Sequence, residues 1–457
     1  MKDLMDIARD YLHKLAALGY DAYIVGGAVR DILRGVEVSD VDIATNCPIK
    51  VLDSNFTTFD IGKSRDFGIL LVRYEGEHFE TAQFRSDGRY EDGRRPDKVE
   101  IVGDIFQDLT RRDFTVNAMA MDMAGRVIDP VGGQCDIQAK LIRAVGNPMV
   151  RFGEEDHLRM VRAARFGAME GFTIEEKTRL AIRRLSFLVH KVSKERMYLE
   201  LVKAASKSGM EFSRFISLLD RLKLLSKILP EVHAMKYFDH DMRWHPEGPT
   251  VMAHTLKALE VSGDSPWLSK MAILFHDIGK CICFDEVKHG YKFSYPRHEH
   301  GSAMLARQIC ERLKFSIDGT EGIVFAAENH MKFHSILKMR PAKIARLVSN
   351  PYFDTLADVC YADEFARGEK YQRHDQFQAA LDRAHEIRDK WETRIIDSKI
   401  KLVDGNRIME VLDIKPGPLV GEIKSEVEDS ILNEEIDPDD TKTVHQLILR
   451  AFLIKGD

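Results

Sequence analysis

The chain has 457 residues, 44% of them hydrophobic and 31% charged, more than one core accommodates, so several domains are expected. No apolar run reaches the length of a membrane span, and the opening Met-Lys-Asp-Leu-Met-Asp-Ile-Ala-Arg-Asp10 is an acidic amphipathic segment rather than a signal peptide, which points to a cytoplasmic protein with no membrane partner. Six cysteines (Cys47, Cys135, Cys281, Cys283, Cys310, Cys360) lack paired C-x-x-C spacing, which argues against a zinc ribbon or a disulfide framework and leaves free thiols.

Along the chain, the apolar run Tyr23-Ile-Val25 ends at a Gly26-Gly27 turn that opens Ala28-Val-Arg-Asp-Ile-Leu33. A diglycine there lets backbone amides approach a phosphate with Arg30 beside it. Thirteen residues later, Val38-Ser-Asp-Val-Asp-Ile-Ala-Thr45 carries Asp40 and Asp42. Carboxylates two apart on a strand point the same way and can share a divalent metal; two acids flanking an apolar residue also mark an ordinary charged strand edge, and spacing leaves both readings open. Short β-rich runs follow at Gly68–Tyr74, Phe79–Phe84 and Val99–Val102, with Glu80 as a third acid or a surface position. Between the last two, Arg85–Asp97 is glycine-rich and highly charged, the pattern of a mobile loop.

After Gly146-Asn147-Pro148 strand signals fade and apolar residues recur at helical spacing to the end of the chain, broken at Ser208-Gly209, Pro230, Pro246 to Pro249, Pro296, Pro341 and Pro416. The formal charge of −6 hides a basic middle: between Lys177 and Lys207 nine Lys or Arg meet only Glu195 and Glu200, whereas Gly421 to Asp440 holds nine acids against Lys424. Either run is also what a solvated helix face looks like. Proline and glycine clusters divide the chain into 1–145, 146–237, 238–389 and 390–457.

Three ordered blocks carry a resemblance to a known family. Gly26-Gly27-Ala-Val-Arg30-Asp31 with Asp40 and Asp42, then Leu109-Thr-Arg-Arg112-Asp113-Phe-Thr-Val-Asn117, resemble motifs A and B of the class II tRNA nucleotidyltransferase and bacterial poly(A) polymerase family, and Glu155-Asp156-His-Leu-Arg159-Met-Val-Arg162-Ala-Ala-Arg165-Phe166 is similar to its motif D. The resemblance implies an α+β, polymerase-β-like head followed by all-α neck, body, HD and tail domains. It implies two Mg2+ ions at Asp40 and Asp42, CTP and ATP as substrates, tRNA as partner, Arg112 and Asp113 on the triphosphate and ribose with Asn117 nearby, and further nucleotide contacts from Gly27, Arg30, Arg162 and Arg165.

Asp156 and Arg159 stand three apart on a predicted helix, so both can reach one ligand edge. Cytosine and adenine present an amino donor beside a ring-nitrogen acceptor, which suits a carboxylate next to a guanidinium; guanine and uracil present the reverse order. D-x-x-R is also the spacing of an ordinary intrahelical ion pair.

A second constellation follows. His254, the doublet His276-Asp277, His298, His330 and Asp363 fall in the order of an HD-type metal phosphohydrolase, and Trp244–Thr255 is similar to the HD region fused to bacterial CCA-adding enzymes. His254, His276, Asp277 and Asp363 can hold Mg2+ or a divalent transition metal with positions open for water, and His298 with His330 can complete a second site. The resemblance implies phosphatase or 2′,3′-cyclic phosphodiesterase activity, with a vestigial, tRNA-supporting domain as the rival. Farther on, a turn at Pro416-Gly417 leads into a predicted helix whose free amides can meet an RNA phosphate or simply turn a helix corner.

The sequence thus predicts a template-independent enzyme that adds CCA to tRNA 3′ ends, with an HD phosphohydrolase attached. The alternatives are addition of the final A only, a poly(A) polymerase, and a phosphohydrolase whose head only binds RNA.

Overall fold

The computed structural model describes residues 3–60, 64–87, 99–239, 247–284, 294–396, 404–433, 435 and 440–455. Residues 88–97 of the charged loop predicted over Arg85–Asp97, and 244–246 of the Trp244–Thr255 segment, lie outside them. Its contacts divide the chain into two compact units, Met1–Lys207 with Glu211–His233, and Ser208–Met210 with Ala234–Asp457.

The first unit is built on a seven-stranded mixed sheet. Its strands are β1 (Ala22–Val25), β2 (Asp42–Thr45), β3 (Thr57–Phe59), β4 (Ile69–Tyr74), β5 (Glu77–Gln83), β6 (Ala120–Met121) and β7 (Val127–Ile128), in spatial order β3-β4-β5-β2-β1-β6-β7. The β-rich runs of the sequence are these strands, and Val99–Ile101 pairs separately with Arg85–Asp87. Strand β2 lies between antiparallel β1 and parallel β5, so Asp42 stands opposite Val25 on one side and Glu80 on the other.

The first helix, Leu4–Ala17, is capped by Asp3, whose carboxylate accepts from Asp6 N at 2.7 Å, and it buries Ile7, Ala8, Tyr11, Leu12 and Leu15 on one face. Tyr11 stacks on Phe79 at 5.5 Å and its hydroxyl meets Thr81 at 3.3 Å, which pins this helix to β5. Apart from a short parallel pairing of Leu141–Ile142 with Thr173–Ile174, the rest of the described unit is mostly helical. Arg159–Gly167 buries Met160, Val161, Ala163, Ala164 and Phe166, and Lys194–Ala205 packs against it.

Among the described residues the second unit is helical. Val251–Val261, Trp267–Phe275, His298–Leu313, Ile317–Phe333 and Phe353–Ala366 pack against one another around buried apolar residues such as Leu259, Ile273, Phe275, Ile323 and Leu356. Gly279 lets a 3-10 turn touch the start of the His298 helix: a Cβ there would lie 2.1 Å from His298 O and 2.3 Å from Ser302 N. The last three helices, Gly405–Leu412, Pro418–Leu432 and Thr441–Lys455, share a small core of Ile408, Ile423, Val427, Val444 and Ile448. Among the described residues no helix is long and apolar enough to cross a membrane.

Candidate functional sites

A cavity of about 740 Å3 in the first unit gathers all three sequence clusters: Gly26, Gly27 and Arg30; Arg112, Asp113 and Asn117; and Asp156, Arg159, Arg162 and Arg165, with Asp42 and Glu80 in the same wall. Nine Arg or Lys side chains line it against four carboxylates, an excess that favours a polyanionic ligand.

Gly26 accounts for the tight approach at the turn. Its φ of +72° lies where side chains are rarely tolerated, and a Cβ would sit 3.0 Å from Arg112 Nη1 and 3.8 Å from Asp42 Oδ2. The strand expected to carry both acids is shorter than predicted. Pairing begins at Asp42 because β1 ends at Val25, so Asp40 lies exposed in the irregular run before β2 and does not line the cavity. Burial, then the charges of Glu80 and Asp40, push the Asp42 carboxyl up to about 6, with Arg112 only partly offsetting them. A carboxylate so disfavoured beside two others is a setting that a divalent cation relieves, although these three acids are less tightly gathered than the triads of the second unit.

Most of the predicted contact residues are tied to one another. Arg30 donates to Asn117 Oδ1 at 2.8 Å and forks onto Asp31 at 2.7 and 3.0 Å. Asn117 Nδ2 donates to Asp113 Oδ1 at 3.2 Å, and Arg162 Nε donates to Asp113 Oδ2 at 2.7 Å. Burial opposes ionisation of Asp113, but Arg162 and Arg159 prevail and hold it down at about 2. Arg30, Arg162 and Arg165 also crowd the ring of Phe166, at 5.2, 5.3 and 4.3 Å from its centre. Arg112 is held by Asp108, a 1% exposed acid that accepts from it at 3.0 Å and from Arg111 at 2.7 Å.

Asp156 is not on the helix. The helix starts at Arg159, and Asp156 has extended backbone (φ −113°, ψ 109°) with Oδ1 accepting from Leu158 N at 3.0 Å, a local bond that competes with helical continuation. Nor do Asp156 and Arg159 pair. Arg196 Nη1 and Nη2 donate to Asp156 Oδ1 and Oδ2 at 3.1 and 2.6 Å, while Arg159 pairs with Glu155 and donates to Arg111 O at 3.0 Å. Sequence reasoning did not single out Arg196, Glu155 or Glu200. Glu200, 3% exposed, accepts from Arg165 at 2.7 Å and Arg162 at 3.5 Å. Its signal was its isolation, one of two acids in the basic run, four residues after Arg196 on one helix face.

In the second unit the predicted ligands form two buried triads whose ligand atoms lie within 4.8 Å of one another: His254, His276 and Asp363, and Asp277, His298 and His330. Asp277 therefore groups with His298 and His330 rather than with the other three, and its Oδ2 lies 3.4 Å from His276 Nε2, which joins the triads.

The imidazoles are oriented from behind. Nδ1 of His276, His298 and His330 faces the backbone oxygens of Ile273, Tyr295 and Ala327 at 2.7, 3.0 and 2.7 Å. A carbonyl only accepts, so Nδ1 of each ring carries a proton and Nε2 is turned inward, where loss of its own proton leaves a lone pair for a cation. His276 Nε2 is buried without a hydrogen-bond partner, and Nε2 of His298 and His330 face each other at 3.2 Å. Lone pairs and carboxylates in this arrangement fit a divalent cation.

Burial lowers the basicity of His254, but Asp363 at 2.9 Å and Glu247 at 2.7 Å overcome it and raise the group to about 9. Burial and the neighbouring His276 take His330 down to about 3. Despite burial, Lys280 and His276 hold Asp277 well below the carboxylate range, and His254 with His334 does the same for Asp363. Glu247, Lys280 and His334 were not singled out from the sequence; His334 follows His330 by one helical turn.

Three family models match the chain: the poly A polymerase head domain over residues 22–143, the probable RNA and SrmB-binding site of polymerase A over 171–236, and the HD domain over 250–368. A CCA-adding enzyme of Bacillus pumilus (strain SAFR-032) is 43% identical over 218 residues, 48% of this chain and 53% of the relative, so the chain spans about half the length of that curated relative. A CCA-adding enzyme of Ligilactobacillus salivarius (strain UCC118) is 34% identical over 321 residues, 68% of this chain and 79% of the relative. Among solved structures, the Bacillus stearothermophilus CCA-adding enzyme in complex with CTP superimposes with a TM-score of 0.67 at 25% identity, covering 100% of both chains. With the head, RNA-binding and HD models in order and a relative matched over most of its length, the chain belongs to the family of CCA-adding enzymes.

Proposed function

We propose that the chain is a template-independent tRNA nucleotidyltransferase that builds the 3′-terminal CCA from CTP and ATP in the cytoplasm, with an HD phosphohydrolase in its second unit. The carrying observation is a cation-rich cavity that holds the glycine turn, Asp42, the Arg112-Asp113-Asn117 cluster and Asp156 with Arg159. In this reading 1–145 is the catalytic head, 146–237 the neck and body, 238–389 the HD domain and 390–457 the tail.

Gly26 and Gly27 admit the triphosphate close to the backbone, and Arg112 with Arg30 offsets its charge. Asp113 and Asn117, fixed by Arg162 and Arg30, orient the ribose. Asp156 accepts from the base amino group and Arg159 donates to the adjacent ring nitrogen, a pattern that cytosine and adenine satisfy and uracil and guanine reverse. Asp40 and Asp42 would hold Mg2+, which would supply Lewis-acid activation of the primer 3′-hydroxyl and offset the charge of the departing pyrophosphate. In the second unit His254, His276, Asp277 and Asp363, with His298 and His330, would hold a divalent metal, which would supply activation of water against a phosphoester. Support for that assignment comes from the inward Nε2 atoms and the HD model over 250–368.

The test offers the protein tRNA transcripts lacking CCA, lacking only A, or complete, with CTP and ATP separately and together. Sequential C, C and A on the first transcript is the expected result. Addition of A only to the second, runs of A on any of them, or no addition with retained phosphoester hydrolysis would each replace the proposal with a different enzyme.

A further inference from the structure

The carboxylate of Asp156 is already engaged, and what remains of it matches one proton of one amino group. A carboxylate has about four lone-pair positions. Arg196 occupies one on each oxygen, at 3.1 and 2.6 Å, and Leu158 N takes a second on Oδ1 at 3.0 Å. That leaves one acceptor position, on Oδ2, in the cavity wall that Asp156 and Arg196 share. Arg196 projects from the helix Lys194–Ala205, forty residues away in sequence, so the orientation of this acceptor is set by a different element from the one that carries it.

We propose that Arg196 is a positioning residue for base selection: by forking onto Asp156 it fixes the plane of the carboxylate, so that the acceptor position left on Oδ2 meets the exocyclic amino group shared by cytosine and adenine. This rests on the nucleotidyl-transfer reading of the cavity and deepens it. Without Arg196 the carboxylate keeps only the Leu158 N bond on Oδ1, a single anchor about which its plane can turn. Arg162, whose guanidinium feels the charge of Asp156, and Arg159 then compete for it. A carboxylate drawn to either neighbour no longer penalises a carbonyl oxygen at the amino-group position, so uracil is admitted where cytosine was selected. The planar fork matters as well as the charge, since a lysine ammonium holds one oxygen and leaves the plane free.

The experiment compares wild type, Arg196→Ala and Arg196→Lys on a tRNA transcript lacking CCA, measuring kcat/KM for CTP and for UTP. Thermal unfolding of all three verifies the fold. Loss of one charge-assisted fork predicts that the CTP-over-UTP ratio falls about tenfold or more in Arg196→Ala, with UTP use rising in absolute terms, and that Arg196→Lys lies between. A brace for the helix or a contact to the RNA would lower both nucleotides together, and an unchanged ratio in Arg196→Ala overturns the inference. Failure of the underlying reading appears in a different place, in the wild type, which would then extend no transcript; the inference falls with it. If Arg196→Ala does not fold, Arg196→Lys decides: a ratio equal to wild type counts against the fork, and a reduced ratio with normal unfolding supports it.

Discussion

The two sites are electrostatic opposites. The first-unit cavity carries nine cationic side chains against four acids and is open enough to enclose about 740 Å3, whereas the second-unit cluster buries His254, His276, Asp277 and His330 to 1% exposure or less. One holds surplus positive charge braced by pairs such as Arg162 with Asp113 and Arg165 with Glu200; the other holds lone pairs and carboxylates turned toward a shared centre. The first is suited to a ligand that brings negative charge and leaves again. The second is suited to a cation that stays, because a buried imidazole lone pair facing another is unfavourable until something positive lies between them.

The largest expected effects come from removing one acid or one imidazole. Asp42→Asn should lower nucleotide addition about a thousandfold or more, since the site loses its half-buried ligand, and should leave phosphoester hydrolysis unchanged. Because burial with Glu80 and Asp40 makes ionised Asp42 unfavourable in the folded chain, the same change should raise the stability of the metal-free protein. His276→Ala should do the reverse, abolishing hydrolysis and sparing addition. Transcript extension and hydrolysis of a 2′,3′-cyclic nucleotide, measured on both variants, give the answer. Loss of both activities in either variant would end the case for two independent sites.

Gly279→Ala is the next test and acts through shape alone. The added methyl would meet His298 O and Ser302 N, both backbone atoms that cannot swing aside. The His298 helix must then shift away from Asp277, whose Oδ1 now lies 3.2 Å from His298 Nε2. We expect bound metal to fall while the first unit keeps addition, with a stability loss of about 3 kcal/mol from overpacking. Metal content by atomic emission, alongside thermal unfolding, is the measurement; unchanged metal content would detach this triad from metal binding.

The same contrast explains what the sequence revealed. The HD residues lie in an order that only a few folds share, and their chemistry is carried by types, His and Asp, that are costly to bury without purpose. The first-unit motifs were legible as blocks because glycine, acids and arginines sit in short runs with apolar frames. Pairing between blocks was not legible. Asp156 with Arg196 and Arg162 with Glu200 join residues about forty apart, and a D-x-x-R spacing suggested a helical pair where the backbone is extended. Asp40 was placed on a strand whose length is set by β1, an element that ends seventeen residues before it begins. Glu247 escaped notice because only the folded chain brings it to His254 Nδ1.

The smallest expected effect belongs to Asp113, and it separates a brace from a ligand. Arg162 and Arg159 hold its carboxyl at about 2 against an ordinary value of 3.8. A depressed acid contributes stability that is fully present above about pH 4 and is lost as pH falls through about 2. The shift corresponds to roughly 2 kcal/mol in this 7% exposed group. Asp113→Asn removes that contribution, so wild type and variant should differ by about this much at pH 7 and converge as the pH approaches 2. Urea unfolding across that range reads the gap directly. A gap that persists unchanged at pH 2 would mean that the carboxylate's charge is not what matters, and that Asp113 acts through shape or through its bonds to Asn117 and Phe114 N instead. The second unit supplies the control, because its triads belong to the other compact unit, and hydrolysis at pH 7 should be the same in both proteins.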